Sequence, residues 1–120
     1  MGQQHRGFIA CVLATTLTIA SAPAAAEVCA VDDTQQRVCL DQSAERIAAL
    51  SPGATELVYA AGAGDNVVAV VAYSDYPPAA TAVPSVGSHT RLDLERLIAL
   101  QPDLVIGWVT GNPTEQLATL

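Results

Sequence analysis

Three short apolar runs, separated by segments with helical spacing, constrain the fold of this chain more than any other feature. The runs are residues 46–50, 67–73 and 103–109, and turn-forming or polar residues follow each of them. The intervening segments repeat their apolar side chains at the spacing of amphipathic helices. Strands that alternate with helices form parallel sheets with right-handed crossovers. We therefore predict an α/β fold over residues 42–120, with a parallel sheet flanked by helices.

Two of the three predicted helices carry recognisable end signals, and the third begins at residues 111–113. The first, residues 54–63, has Glu56 in its first turn, where a negative charge suits the helix dipole, and Gly62 at its end. The second, residues 92–100, has Asp93 as its N-cap. Leu94, Leu97 and Ile98 of the second helix share one face with Gln101, the residue just after its end.

The carboxyl ends of the predicted strands are the first place to look for a ligand site, because ligands of parallel sheets bind there. These ends are residues 51–55, 73–76 and 108–112. Two prolines follow Tyr76 and restrict its backbone, so its ring should be held in place. Tyr76 and Trp108 are expected to form a flat apolar wall. Packing in the core is the simpler alternative for Trp108.

Residues 1–26 have the three-part pattern of a secretory signal peptide, with a weakly basic start, an apolar stretch and small residues up to Ala26. We predict export and cleavage near Ala26. A membrane anchor is the alternative. A helix needs about 20 residues to span a bilayer, and the apolar stretch, from Phe8 to about Ala20, is shorter than that. Cys11 lies near the start of this stretch, which argues against a lipoprotein site.

Residues 27–41 are predicted to form an N-terminal β-hairpin, because two short apolar runs flank a turn-forming cluster. Cys29 and Cys39 are symmetric about Thr34 and should face each other across this hairpin. A disulfide is the expected state of such a pair in an exported protein. A zinc site would need more ligands at close spacing.

The charge of the chain argues against nucleic acid as a partner. The formal net charge is −7, and the 12 acidic residues outnumber the 5 basic ones. All the acidic residues lie after Ala26. A chain with so few cations has no basic patch that could neutralise phosphates.

No arrangement of residues in the sequence predicts catalysis. His89 is the only histidine after residue 26, and it lies in a predicted long loop, residues 74–91. A secreted hydrolase would have to use Asp75, Ser88 and His89, but the sequence around Ser88 is not that of a nucleophile elbow. No glycine-rich phosphate loop follows a strand. An isolated loop histidine is more often a surface residue than a metal ligand.

Three stretches resemble the cobalamin-binding periplasmic proteins of ABC importers, over about residues 28–120: "RIAALSPGATELVYAAGAGDNVVAVVAYSDYPPAA", "VGSHTRLDLERLIALQPDLVIGW" and "GNP". "SPGATE" and "ALQPDLVIGW" are typical of the wider class, which also binds haem, siderophores and metal ions. "YSDYPP" and the strand end at Trp108 are more particular to cobalamin. The resemblance implies two lobes joined by one long helix, with this chain as the N-terminal lobe.

The resemblance also implies roles for individual residues. Tyr76 would pack on the corrin ring and Trp108 would line the cleft, while Glu95 would face the membrane permease and pair with its arginines. For Glu95, a charge favoured at a helix N-terminus is the alternative, and both roles are compatible. The implied partners are a corrinoid ligand and the permease, for a monomeric periplasmic protein without cofactor or enzymatic activity. The other candidate ligand-binding residues are Ser51, Pro52, Gly53, Asp75, His89 and Gly111.

The chain departs from the family pattern at two positions and in length. Tryptophan is common in the family where this chain has His89, which keeps a haem or iron-chelate binding protein of the same class as an alternative. Glycine is common in the hairpin turn at the position of Gln35. The joining helix and the second lobe are absent from the sequence, so a truncated chain without independent function is a further alternative.

Overall fold

A three-stranded parallel sheet forms the centre of the computed structural model, which describes Ala22 and residues 26–120. The sheet order is β4-β3-β7, with β3 at Ile47–Ala49, β4 at Val67–Ala69 and β7 at Leu104–Ile106. Both neighbours pair with β3 in parallel, which confirms the predicted α/β fold. The predicted signal peptide lies outside the described residues except for Ala22 and Ala26.

The strands are shorter than predicted, although the backbone pairing continues beyond two of them. The N–H of Leu50 donates to the carbonyl of Ile106 at 2.9 Å, which extends the pairing of β3 with β7. Past β4, the N–H of Val70 donates to Pro84 and the carbonyl of Val70 accepts from Val86. The apolar pattern therefore marked burial correctly but overestimated the length of the regular ladder.

The predicted long loop, residues 74–91, contains more regular structure than expected. A 3₁₀ helix spans Pro78–Ala82. A small antiparallel hairpin follows, formed by β5 (Gly87–Ser88) and β6 (Arg91–Leu92). Strands of two residues carry too little periodicity to be recognised in a sequence.

The first helix, α1, spans Pro52–Ala60 and begins two residues earlier than predicted. Ser51 is its N-cap, because its Oγ accepts a hydrogen bond from the N–H of Ala54 at 3.0 Å, and Pro52 occupies the first helical position. Glu56 consequently lies outside the first turn, contrary to the prediction. Gly62, at φ +84°, follows the helix end as expected.

The second helix, α2, spans Leu94–Ala99 and has the predicted N-cap. The Asp93 carboxylate accepts a hydrogen bond from the N–H of Arg96 at 3.0 Å. The predicted face is only partly a core face, since Leu97 is fully buried whereas Ile98 is 61% exposed. A short third helix, α3, spans Thr114–Leu117, and Leu117 packs against the core.

The hydrophobic core covers both faces of the sheet because successive side chains of each strand point to opposite sides. On one face α1 contributes Val58, which packs with Ile47, Val67 and Val70. The opposite face is covered by α2 and the β5–β6 hairpin. Its buried cluster consists of Ala48, Leu50, Ala69, Val71, Val86, Leu92 and Leu97.

Strand β7, at one edge of the three-stranded sheet, is half-buried rather than buried as predicted. An apolar groove lies beside this edge, lined in part by Val38, Leu40, Leu104, Leu117 and Leu120. Within the described part of the chain, no helix is long and apolar enough to cross a membrane.

The N-terminal hairpin consists of β1 (Val28–Val31) and β2 (Arg37–Leu40), which pair in antiparallel orientation. Cys29 lies directly opposite Cys39, and the predicted disulfide joins them. At the turn, the Asp32 carboxylate accepts hydrogen bonds from the Thr34 hydroxyl and from two backbone N–H groups, and these bonds lower the pKa of Asp32.

Candidate functional site

The three parallel strands place their carboxyl ends at one edge of the sheet, and the predicted ligand-binding residues follow these ends. After β3, Ser51 is buried and its hydroxyl is used to cap α1. Pro52 is half-buried and Gly53 is exposed. A methyl group added to Gly53 would meet no atom within 4 Å, so the backbone of this helix N-terminus is accessible to a ligand.

Buried hydroxyl groups connect the end of β3 to the segment after β4. The Thr55 hydroxyl donates a hydrogen bond to the carbonyl of Ser51 at 3.1 Å. Its oxygen also lies 3.2 Å from the Oγ of Ser74, which is buried as well. These contacts fix the start of the tyrosine-containing segment against α1.

The segment after β4 exposes two tyrosine side chains. Tyr76 is 64% exposed and precedes Pro77 through a cis peptide bond. Tyr73 is 84% exposed and has a φ of +67°, a left-handed conformation that non-glycine residues seldom adopt. Asp75, between them, is exposed. Tyr73 was not among the predicted site residues, although it lies at a predicted strand end.

Trp108 follows β7 and is 45% exposed, so it is neither a core residue nor part of the strand. The strand stops because the chain turns: the carbonyl of Trp108 accepts hydrogen bonds from the N–H groups of Gly111 and Asn112. A side chain at position 111 would overlap the indole ring, so Gly111 lies directly against it.

The ring that accompanies Trp108 is that of His89. The imidazole and indole centroids lie 5.6 Å apart with 38° between the ring planes. His89 is half-buried in the turn between β5 and β6. Within the described residues, no ring contact joins Tyr76 to Trp108, so the site contains a histidine–tryptophan pair and a separate exposed tyrosine.

Asn112, which was not among the predicted site residues, connects the parts of this site. Its carboxamide is buried and bonds three backbone groups, which belong to Leu50, His89 and Trp108. An asparagine between a glycine and a proline resembles an ordinary turn signal. Only the folded chain shows that its side chain faces inward.

Glu95 lies at the start of α2 and is exposed. This position suits a carboxylate by itself, because helix N-termini favour negative charge. The surrounding surface is polar, with Arg91, Asp93 and Gln116 lining a shallow depression beside Glu95.

Hydrolytic chemistry has no geometric support at Ser88. Its hydroxyl lies 3.2 Å from that of Thr90 and accepts the N–H of Arg91, whereas no hydrogen bond among the described residues joins it to His89 or Asp75. A group of three potential metal ligands exists in residues 26–120, formed by Glu27 and the two hairpin cysteines. Those cysteines are joined in the disulfide and offer no thiolate.

A family model described as periplasmic binding protein matches residues 47–119, more than half of the chain. The vitamin B12-binding protein of Vibrio cholerae serotype O1 is 52% identical over 77 residues, which cover 64% of this chain and 28% of that protein. A crystal structure of the periplasmic vitamin B12 binding protein BtuF of Vibrio cholerae superimposes with a TM-score of 0.62 at 51% identity, covering 63% of this chain and 30% of that one.

A haem-binding protein shows the same fold. The periplasmic heme-binding protein RhuT from Roseiflexus sp. RS-1, in its apo form, is 38% identical with a TM-score of 0.59 and matches 64% of this chain and 30% of its own. This chain thus spans less than a third of the length of these relatives. From residue 47 to residue 119 its sequence and its fold agree with one family, and the chain belongs to the periplasmic binding proteins.

Proposed function

We propose that this chain is the N-terminal lobe of an exported substrate-binding protein of an ABC importer. The protein captures cobalamin or a related corrinoid and delivers it to the membrane permease. The match to under a third of each relative supports a second lobe elsewhere in the protein. The signal peptide of residues 1–26, with cleavage near Ala26, provides the export route to the periplasm.

The observation that carries this proposal is the exposed aromatic surface at the carboxyl edge of the sheet. Trp108 presents its indole beside the His89 ring, and Tyr76 presents a second aromatic face. Aromatic side chains bury large apolar areas, so they suit a large, flat and mostly apolar ligand such as a corrin ring. The accessible backbone at Gly53 and the exposed carboxylate of Asp75 are polar contacts for the ligand's periphery.

Glu95 is proposed to contact the permease rather than the ligand. Its exposed carboxylate, on the polar surface at the start of α2, offers a partner for an arginine of another protein. The protein acts as a monomer and by binding alone, without catalysis and without a cofactor, and the ligand is its cargo.

Calorimetry with cyanocobalamin tests this function in the two-lobed protein. Binding to a single site, together with much weaker binding to the 120-residue chain alone, is the expected result. If the folded two-lobed protein gives no heat of binding with cyanocobalamin, the proposal of a corrinoid ligand is wrong. Equal affinity of both forms would contradict the division of the site between two lobes.

A haem or iron-chelate ligand is the second candidate, and His89 is the observation that favours it. Its imidazole lies beside Trp108, at the edge of the sheet where we propose that the ligand binds. The haem-binding relative has the same fold. Titration with hemin, followed by the Soret absorbance, separates the two functions. A Soret shift that disappears in His89→Ala would favour haem, whereas tight cyanocobalamin binding without such a shift would favour the corrinoid.

A further inference from the structure

We propose that Asn112 is the positioning residue of this site: one buried carboxamide holds the backbones of Trp108 and His89 in fixed relation to the end of β3. The identity of the ligand used in one of the tests rests on the function proposed above. The positioning itself rests only on the geometry of the chain.

The hydrogen bonds of Asn112 use its acceptor and both donors. Its Oδ1 accepts the N–H of Trp108 at 2.6 Å, and its Nδ2 donates to the carbonyls of Leu50 and His89, both at 2.8 Å. Asn112 is only 5% exposed. A primary carboxamide carries two donors and an acceptor on one rigid group, so a hydroxyl or a carboxylate cannot replace it.

Neither ring is held in place by regular secondary structure. Trp108 lies two residues past the end of β7, outside the sheet ladder. His89 lies in the turn of a hairpin whose strands have two residues each, and such hairpins are barely stable by themselves. The contact between the two rings therefore depends on the side chain that binds both backbones.

Holding the rings before the ligand arrives has a direct consequence for affinity. Side chains and loops that must be ordered on binding reduce the net free energy of association. With Asn112 in place, the His89–Trp108 surface exists in the free protein. Without it, the two segments move independently and a flat ligand must bring them together.

Gln116, four residues further along, provides a matched control. Its carboxamide also bonds the backbone, accepting the N–H of Leu92 at 2.9 Å and donating to the Leu92 carbonyl at 3.0 Å. These bonds attach α3 to β6 and contact neither ring. Asn112→Asp and Gln116→Glu make the same chemical change, in which each keeps an acceptor, loses its donors and gains one negative charge.

The first test needs no ligand, because Trp108 is the only tryptophan of the chain. In the folded 120-residue chain, Asn112→Asp should shift the Trp108 emission maximum and increase quenching by acrylamide, while Gln116→Glu should leave both unchanged. Identical emission and quenching in the parent and Asn112→Asp would overturn the proposal. So would equal changes in both variants, since they would show a general loosening.

A second measurement covers the case in which Asn112→Asp does not fold. In the unmodified chain, NMR hydrogen exchange should show protection of the Trp108 backbone N–H and of the Asn112 side-chain protons. Rapid exchange of both groups in the folded protein would overturn the proposal without any variant.

The third test uses cyanocobalamin and the two-lobed protein. Asn112→Asp should weaken binding on the order of tenfold, as expected if two side chains must be ordered on binding. In a Trp108→Ala, His89→Ala background the same change should have almost no further effect, because coupled residues are not additive. Full additivity would contradict the positioning role.

Should the parent fail to bind cyanocobalamin, the proposed function fails, and the two ligand-free measurements still decide the role of Asn112.

Discussion

The indole ring of Trp108 lies against the backbone of Gly111 so closely that even a methyl group at position 111 would overlap it. The backbone of Gly111 is not in a left-handed conformation, in contrast to Gly62 and Gly87. Glycine is therefore required at position 111 for space and not for backbone freedom. The close contact with Gly111, a residue without a side chain, thus helps to fix the position of the Trp108 ring.

Substitution Gly111→Ala tests this relationship. The indole must rotate or the turn must shift, and we expect a loss of about 1–3 kcal/mol of unfolding free energy, as for other overpacked sites. Trp108 fluorescence should change in parallel. Urea unfolding at neutral pH measures the first effect and an emission spectrum the second.

Gly53→Ala is the control for Gly111→Ala. A methyl group there meets no atom within 4 Å, and alanine is a better helix former than glycine. Its stability should equal or slightly exceed that of the parent. An unchanged emission spectrum and unfolding curve for Gly111→Ala would show that the turn accommodates the methyl group and that the close contact has no structural role.

The start of β7 is joined to the start of β3 by the carboxylate of Asp103. Its oxygens accept the N–H groups of Glu45 at 2.9 Å and Arg46 at 3.0 Å. The Glu45 hydrogen bond, assisted by that of Arg46, lowers the pKa of Asp103 below its usual value. We expect Asp103→Ala to cost about 1 kcal/mol at pH 7, an amount reduced by the exposure of the carboxylate.

The pH dependence of this cost has a definite sign. The carboxylate stabilises the fold above the pKa it has when unfolded, near 4, and this contribution is lost as the pH falls through its lower pKa in the folded state. Urea unfolding at pH 7 and in more acidic buffer should therefore show a difference between parent and variant that shrinks in acid. A constant difference at every pH would contradict the hydrogen-bonding role of Asp103.

The fold was predictable from the sequence because its strongest signals are local. The alternation of apolar runs with helical segments indicates a parallel sheet, and β3 shows why: Ala48 and Leu50 pack on one side and Ile47 on the other. The lengths of the strands were not predictable in the same way. Val70 is buried like a strand residue, but its backbone pairs with Pro84 and Val86 across an irregular connection.

Which residues follow the strand ends was predictable, but their mutual arrangement was not. The sequence indicated that Tyr76, His89 and Trp108 lie near a ligand edge. That His89 contacts Trp108 depends on the position of a hairpin with two-residue strands, which no periodicity reveals. The role of Asn112 was not predictable for a related reason, since the direction of a turn side chain depends on the tertiary fold.

Glu95 offers a test of the proposed permease contact that is independent of ligand binding. We expect Glu95→Arg in the two-lobed protein to leave cyanocobalamin affinity nearly unchanged and to weaken association with the permease. Charges at the rim of an interface mainly govern steering and partner choice. Salt screens such charges, so the difference in permease association between parent and variant should decrease at high salt. Association with the permease in detergent or nanodiscs, at two salt concentrations, measures the effect.

Glu115→Arg is the matched control for Glu95→Arg. Glu115 is also an exposed glutamate in the first turn of a short helix, so both variants lose the same favourable interaction with a helix N-terminus. Only Glu95→Arg should impair docking. Equal impairment by both variants, or by neither, would refute a specific permease contact at Glu95.

The two exposed aromatic faces give the most direct test of the ligand site. In the two-lobed protein, Tyr76→Ala and Trp108→Ala should each reduce cyanocobalamin affinity by about 1–3 kcal/mol, the range for an aromatic anchor at a binding site. Tyr76 is 64% exposed and Trp108 45% exposed in the free chain, so neither substitution should cost as much stability as the removal of a buried aromatic side chain. Leu57→Ala, which removes another exposed apolar side chain on the outer surface of α1, provides the control and should retain the parent affinity. Calorimetry on the three variants, with unfolding curves measured in parallel, separates a binding role from a folding role. Parent-like affinity in both aromatic variants would place the ligand away from this edge of the sheet.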